Sequence, residues 1–203
     1  MSGLLIIISG PSGAGKGTVM RDVLNDPADR ERRVMSVSVT TRQKRDGEED
    51  GKEYFFRTEH EFLEMVGTNE FLEFASVVGS YYGTPRSYVE GAMAEGKTVF
   101  LEIDIKGAMQ VKEKCSAVTI FLAPPGMEEL KRRLMGRMTE TPEQIDDRMK
   151  KAAGEMSFIG RYDYLVVNDR VEDAVARINA IISAERLRTA RCAEIIKEIT
   201  AQI

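Results

Sequence analysis

The chain has 203 residues, 42% of them hydrophobic, enough for one compact α/β unit with insertions and a filled core. Its 29 Lys and Arg against 33 Asp and Glu leave a net charge of −4 and a pI of about 5.3, so no global positive field argues for nucleic acid. Cys115, Cys192 and the single histidine His60 lack the spacing of a zinc site or a Cys/His nucleophile, and no apolar run approaches the ~20 residues of a membrane span; a cytoplasmic protein with no membrane partner is expected.

The first element is the apolar run Leu4-Leu5-Ile6-Ile7-Ile8, a strand over residues 4–9. It leads into Gly10-Pro11-Ser12-Gly13-Ala14-Gly15-Lys16-Gly17-Thr18 and then a helix over 18–24. Strand, glycine-rich loop and helix in this order form a cradle for a nucleoside triphosphate. The glycines let backbone N–H groups curl inward, the helix adds its positive end, and Lys16 reaches the outer phosphates. The position after the lysine, usually Ser or Thr with its hydroxyl on magnesium, is Gly17, and the hydroxyl arrives one residue later at Thr18.

Further strand-like runs fall at 34–39, 98–103, 118–122 and 164–167, most of them apolar throughout, as in a parallel sheet buried on both faces. Helical patterns at 86–94, 107–114, 127–134 and 142–157 separate them, the last opened by Thr141, Pro142 and Gln144 as a capping box. The alternation predicts a doubly wound α/β fold. Residues 171–199 read as one long helix with a core-facing stripe of Val175, Ile178, Ile182, Ile195 and Ile199.

Two stretches depart from the alternation. Residues 38–85 are rich in charge and aromatics, with β-like runs at 54–56 and 71–78 around a helix capped by Thr58 and Glu61, and read as a small mixed α/β insertion. Residues 126–157 carry Lys131, Arg132, Arg133, Arg137 and Arg148 on helices, the composition of a lid over anions or of a solvated helical hairpin. The expected division is a core of 1–37, 86–125 and 158–203, the insertion 38–85 and the lid 126–157.

Within the insertion, Arg42 and Arg45 lie three apart in a loop, followed by Tyr54. Guanidinium forks and a phenol suit a second phosphate group, that of a monophosphate acceptor. In these residues the chain resembles the guanylate kinases: the phosphate loop, Ser38-Val39-Thr40-Thr41-Arg42-Gln43-Lys44-Arg45, Tyr81-Tyr82-Gly83-Thr84-Pro85 and Leu101-Glu102-Ile103-Asp104 occur in that family's order across residues 4–187. The resemblance implies a phosphate-loop parallel sheet flanked by helices, with the insertion binding GMP and a helical lid closing on ATP. Arg42, Arg45, Tyr54 and Tyr82 match the groups that hold the GMP phosphate, and Ser38, Glu73, Thr84 and Asp104 those facing the guanine, with Gly83 also implied in GMP binding. Carboxylates suit that base, whose N1 and N2 are donors where adenine has an acceptor and no amino group.

For ATP, the resemblance implies binding by residues 10–18, with Arg137 and Asn168 beside it, and catalysis by Lys16, Arg42, Arg133, Arg137 and Arg148. Mg²⁺ is the implied cofactor, with Thr18 and, through water, Glu102 as its candidate ligands. The rivals are a GTPase, a non-catalytic guanylate-kinase-like binding module and another nucleoside monophosphate kinase. No Asn-Lys-x-Asp or Thr-Lys-x-Asp run supports the first, and Lys16, Arg42, Arg45 and the lid arginines, all present, argue against the second. Glu73 and the Tyr81-Tyr82-Gly83-Thr84 run argue against the third. The expected partners are ATP and GMP, with homo-oligomerisation left open.

Overall fold

The computed structural model describes residues 3–136 and 141–201. In chain order the elements are β1 (Leu4–Ser9), α1 (Lys16–Leu24), β2 (Arg33–Met35), β3 (Ser38–Thr40), β4 (Tyr54–Phe56), α2 (Glu59–Gly67), β5 (Phe71–Val77), β6 (Ser80–Pro85) and α3 (Arg86–Ala94). There follow β7 (Thr98–Glu102), α4 (Ile105–Lys114), β8 (Val118–Ala123), α5 (Met127–Met135), α6 (Pro142–Met156), β9 (Tyr164–Val167), α7 (Val171–Arg186) and α8 (Ala193–Thr200).

Among the described residues, five parallel strands form one sheet in the order β2-β7-β1-β8-β9. Every residue of β1 is buried, and its side chains divide by parity because successive strand residues point to opposite faces. Leu4, Ile6 and Ile8 pack with Val19, Met20 and Val23 of α1 and Ala174, Ile178 and Ile182 of α7. Leu5 and Ile7 pack with Val89 of α3 and Ala108 and Val111 of α4. Helices therefore cover both faces, and the loop after β1 emerges at the carboxyl edge, where doubly wound sheets bind ligands.

A second sheet has the order β4-β3-β6-β5, with β3 and β4 parallel and the other pairs antiparallel. Its own small core is aromatic: Phe62 of α2 stacks on Phe71 and on Tyr81, with ring centroids 4.5 and 5.3 Å apart. Burying such a ring is worth about 1.5–3 kcal/mol. The capping box at Thr58 and Glu61 is formed, as is the one at Thr141 and Gln144. α5 and α6 pack through Leu130, Leu134 and Ala152. No helix among the described residues is long and apolar enough to cross a membrane.

At three places the fold departs from what the sequence pattern predicts. The run 34–39 is two strands in different sheets: the Ser36 N–H still bonds to Phe100 O beside β7, whereas Val39 pairs with Gly83 of β6. Strand β6 lay hidden because Gly83 and Pro85 disguise its pattern; it pairs with β5 through a tight turn at Val78 and Gly79, both with positive φ (48° and 77°). The helix 171–199 breaks after Arg186. Glu185 is buried, receives the Tyr164 hydroxyl, and draws Arg188 and Arg191 to 3.5 and 3.6 Å, which turns the chain through a 3₁₀ turn at Thr189–Arg191. Ile195 and Ile199 consequently lie on the surface instead of in the core.

Candidate active site

The loop between β1 and α1 is built for close approach to an anion. Gly15, with φ 89°, precedes α1, and a Cβ there would collide with the amide nitrogen of Asn168. No side chain caps α1 and no acidic residue sits in its first turn. Its leading N–H groups and dipole thus keep their positive potential. The Lys16 ammonium donates to the carbonyls of Gly10 and Pro11 at 2.7 and 3.3 Å, folded along the loop it serves.

Several predicted residues meet at this loop. The Asn168 amide, almost fully buried, donates to Ala14 O at 2.7 Å, so it braces the loop from beneath. Arg133 donates to Asn168 O at 3.0 Å and to Glu129 at 2.7 Å. Arg148 of α6 donates to the Ser12 hydroxyl at 3.2 Å, which brings the helical hairpin onto the loop. Gly17 and Thr18 are exposed in the first turn of α1, and nothing lies within 4 Å of where a Gly17 Cβ would stand. Arg137 lies outside the described residues.

Beside the loop, β7 ends at Glu102, which is paired in register with Ile8, and the Ser9 hydroxyl donates to Ile103 O. A cavity of about 350 Å³ opens here between the two sheets, lined among others by Ser36, Ser38, Tyr54, Thr84 and Glu102. That volume lies in the range of small-ligand pockets. At its second-sheet side the Arg42 guanidinium sits over the Tyr54 and Phe56 rings, 5.4 and 5.8 Å from their centroids, and Tyr82 meets Tyr54 edge-on. Arg45 is exposed on the same loop.

Glu73 is buried, and its carboxylate accepts the Thr84 hydroxyl at 2.6 Å. Burial pushes its pKa up, the Thr84 hydrogen bond opposes this, and the nearby Asp104 charge adds to it. Asp104 itself caps α4, accepting the Gly107 N–H at 2.8 Å. Gly83 is buried in β6, where an added Cβ would stand 2.8 Å from the Phe71 ring.

The guanylate kinase family model matches residues 2–185. A guanylate kinase from Clostridium perfringens is 51% identical over 197 residues, covering 97% of this chain and 90% of the relative. One from Lactococcus lactis is 51% identical over 193 residues, 95% of this chain and 93% of the relative. The crystal structure of guanylate kinase from Anaplasma phagocytophilum superposes with a TM-score of 0.73 at 36% identity, covering 97% of this chain and 95% of that one.

The chain belongs to the guanylate kinase family.

Membership agrees with the parallel sheet flanked by helices. Some residues at the site escaped the sequence reading. Glu48 holds Arg42 through a two-bonded ion pair, and Ser36 lines the cavity with a buried hydroxyl that has no hydrogen-bond partner among the described residues. Glu48 stood six residues after Arg42, but spacing in a loop does not say which way the chain turns. Ser36 sits on the crossing between sheets, which a single-strand reading concealed.

Proposed function

We infer that this chain transfers the terminal phosphoryl group of ATP to GMP, forming ADP and GDP. The observation that carries the reading is a phosphate loop at the edge of the parallel sheet, beside a cavity flanked by an arginine–tyrosine cage and a buried carboxylate. ATP takes the loop, with residues 10–18 around its phosphates and Lys16, Arg133, Arg137 and Arg148 as counter-charges. GMP takes the cavity. Its phosphate meets Arg42, Arg45, Tyr54 and Tyr82, and its base meets Ser38, Glu73, Thr84 and Asp104. Segment 38–85 then acts as the acceptor-binding part, and 126–157 as the lid.

Transfer between phosphate oxygens requires no hard proton removal, so alignment and charge neutralisation supply most of the catalysis. Among the described residues no cluster of three or more His, Cys, Asp or Glu could hold a metal by itself. The donors present fit Mg²⁺, which keeps several waters and is usually held by one or two carboxylates plus substrate phosphates. Thr18 and, through water, Glu102 would hold it, and when bound it supplies positive charge to the triphosphate. The setting we infer is cytoplasmic.

The test is ADP release from ATP with GMP, AMP, CMP, UMP or no acceptor. Rapid release with GMP alone is expected. Equal release without acceptor would favour a nucleotide hydrolase, and none at all the non-catalytic binding module.

A further inference from the structure

Arg42 is already engaged before any substrate is considered. Its Nη1 donates to Glu48 Oε2 at 3.1 Å and to Gln43 O at 2.7 Å, and its Nη2 donates to Glu48 Oε1 at 2.7 Å. Glu48 is fixed in turn, because Oε2 also accepts the Arg45 N–H at 2.8 Å. The pair is sheltered, with side chains 17% and 16% exposed, so it is screened less than a surface ion pair. The Arg42 hydrogen bond, followed by the Arg45 N–H, holds the Glu48 pKa below the usual carboxylate range.

A guanidinium has five N–H donors in a rigid planar fork. Glu48 takes the two inner ones of the Nη1–Nη2 end and Gln43 the outer one of Nη1, so the donors that neither residue takes are Nε and the outer N–H of Nη2, a parallel pair along one side. The rings of Tyr54 and Phe56 flank the guanidinium, and the Tyr82 hydroxyl interacts with it. We propose that Glu48 is a positioning residue for the acceptor: by occupying the end of the Arg42 fork, it turns the Nε–Nη2 edge toward the acceptor's phosphate. The proposal rests on the function inferred above and deepens it. Glu48 itself touches no substrate. Its effect is specific to the phosphate and passes through Arg42.

Glu48→Gln tests this with little structural disturbance. The amide oxygen still accepts the Arg45 N–H, but the amide nitrogen faces the guanidinium donor to donor, so the two-bonded hold is lost. KM for GMP should rise on the order of tenfold, while kcat stays within about threefold and KM for ATP is unchanged. Guanosine, which lacks the phosphate, should inhibit parent and variant equally. In an Arg42→Ala background, where GMP binding is measured by calorimetry, Glu48→Gln should add no further loss.

Tighter GMP binding by the variant would overturn the proposal, since Glu48 would then be a competing anion. Equal loss of GMP and guanosine, or an undiminished loss in the Arg42→Ala background, would also overturn it by showing a general structural role. Absence of GMP phosphorylation by the parent protein would instead overturn the inferred function, and the parent's own turnover reports that separately.

Discussion

Replacing Glu73 by Gln separates what the carboxylate does for the fold from what it does for the base. Glu73 is only 7% exposed; Thr84 donates to Oε1, and Oε2 faces α4, where a Cβ on Gly107 would come within 2.9 Å of it. A Gln side chain of the same shape keeps the Thr84 bond through its amide oxygen and places –NH₂ where an acceptor stood. In the base-binding role proposed for Glu73, this loses a hydrogen bond between a charged group and a guanine donor, about 1.5–3 kcal/mol, or roughly 10- to 150-fold in GMP affinity. ATP affinity should not change.

The free protein should respond in the opposite sense. Burial raises the Glu73 pKa in the folded state, so the fold binds this proton more tightly than the unfolded chain does. Ionisation therefore costs the parent stability as pH rises through the folded pKa, and the cost vanishes below the unfolded value. Gln carries no such cost. Its stability relative to the parent should be greatest at neutral and higher pH and decline as pH falls into the ordinary carboxylate range. Calorimetric titration with GMP and a non-hydrolysable ATP analogue, together with urea unfolding at several pH values, checks both halves. Equal loss of both nucleotides would remove Glu73 from base recognition, and a stability difference independent of pH would rule out a buried ionisation cost.

Lys16→Ala removes the positive charge of the loop and should lower kcat by about 10²–10³, with the far-UV circular dichroism spectrum unchanged. Gly17→Ser should keep turnover within about twofold, because nothing stands within 4 Å of the added Cβ, and should stabilise α1 by a few tenths of a kcal/mol in thermal unfolding. Val78, fully exposed with φ 48° in the β5–β6 turn, is a β-branched residue in the left-handed region. Val78→Asn should raise stability by about 1 kcal/mol in urea unfolding, with GMP kinetics unaltered.

Much of the parallel sheet was legible because strands buried on both faces are written as unbroken apolar runs, and β1 is one such run in sequence and in fold. The phosphate loop was legible for the same local reason: its glycines, lysine and following helix are contiguous. The second sheet was harder. β3 has three residues and β6 contains Gly83 and Pro85, so neither displays a period long enough to read. The break after Arg186 was invisible because α8 repeats the isoleucine spacing of α7 while lying exposed; the difference is made by the buried Glu185 and by arginines that reach it only once the chain has turned. Arg42 stood out as a phosphate-binding candidate by its type and place, but its ion pair with Glu48 could not be read, since that depends on the path of a loop.

Transfer from ATP to GMP is checked by following the phosphoryl group itself. With ATP labelled at the γ-phosphorus and GMP in excess, the label should appear in the β-phosphoryl group of GDP, one equivalent for each ADP formed, and AMP in place of GMP should yield almost none. Label recovered as inorganic phosphate at the same rate with or without GMP would show hydrolysis in place of transfer.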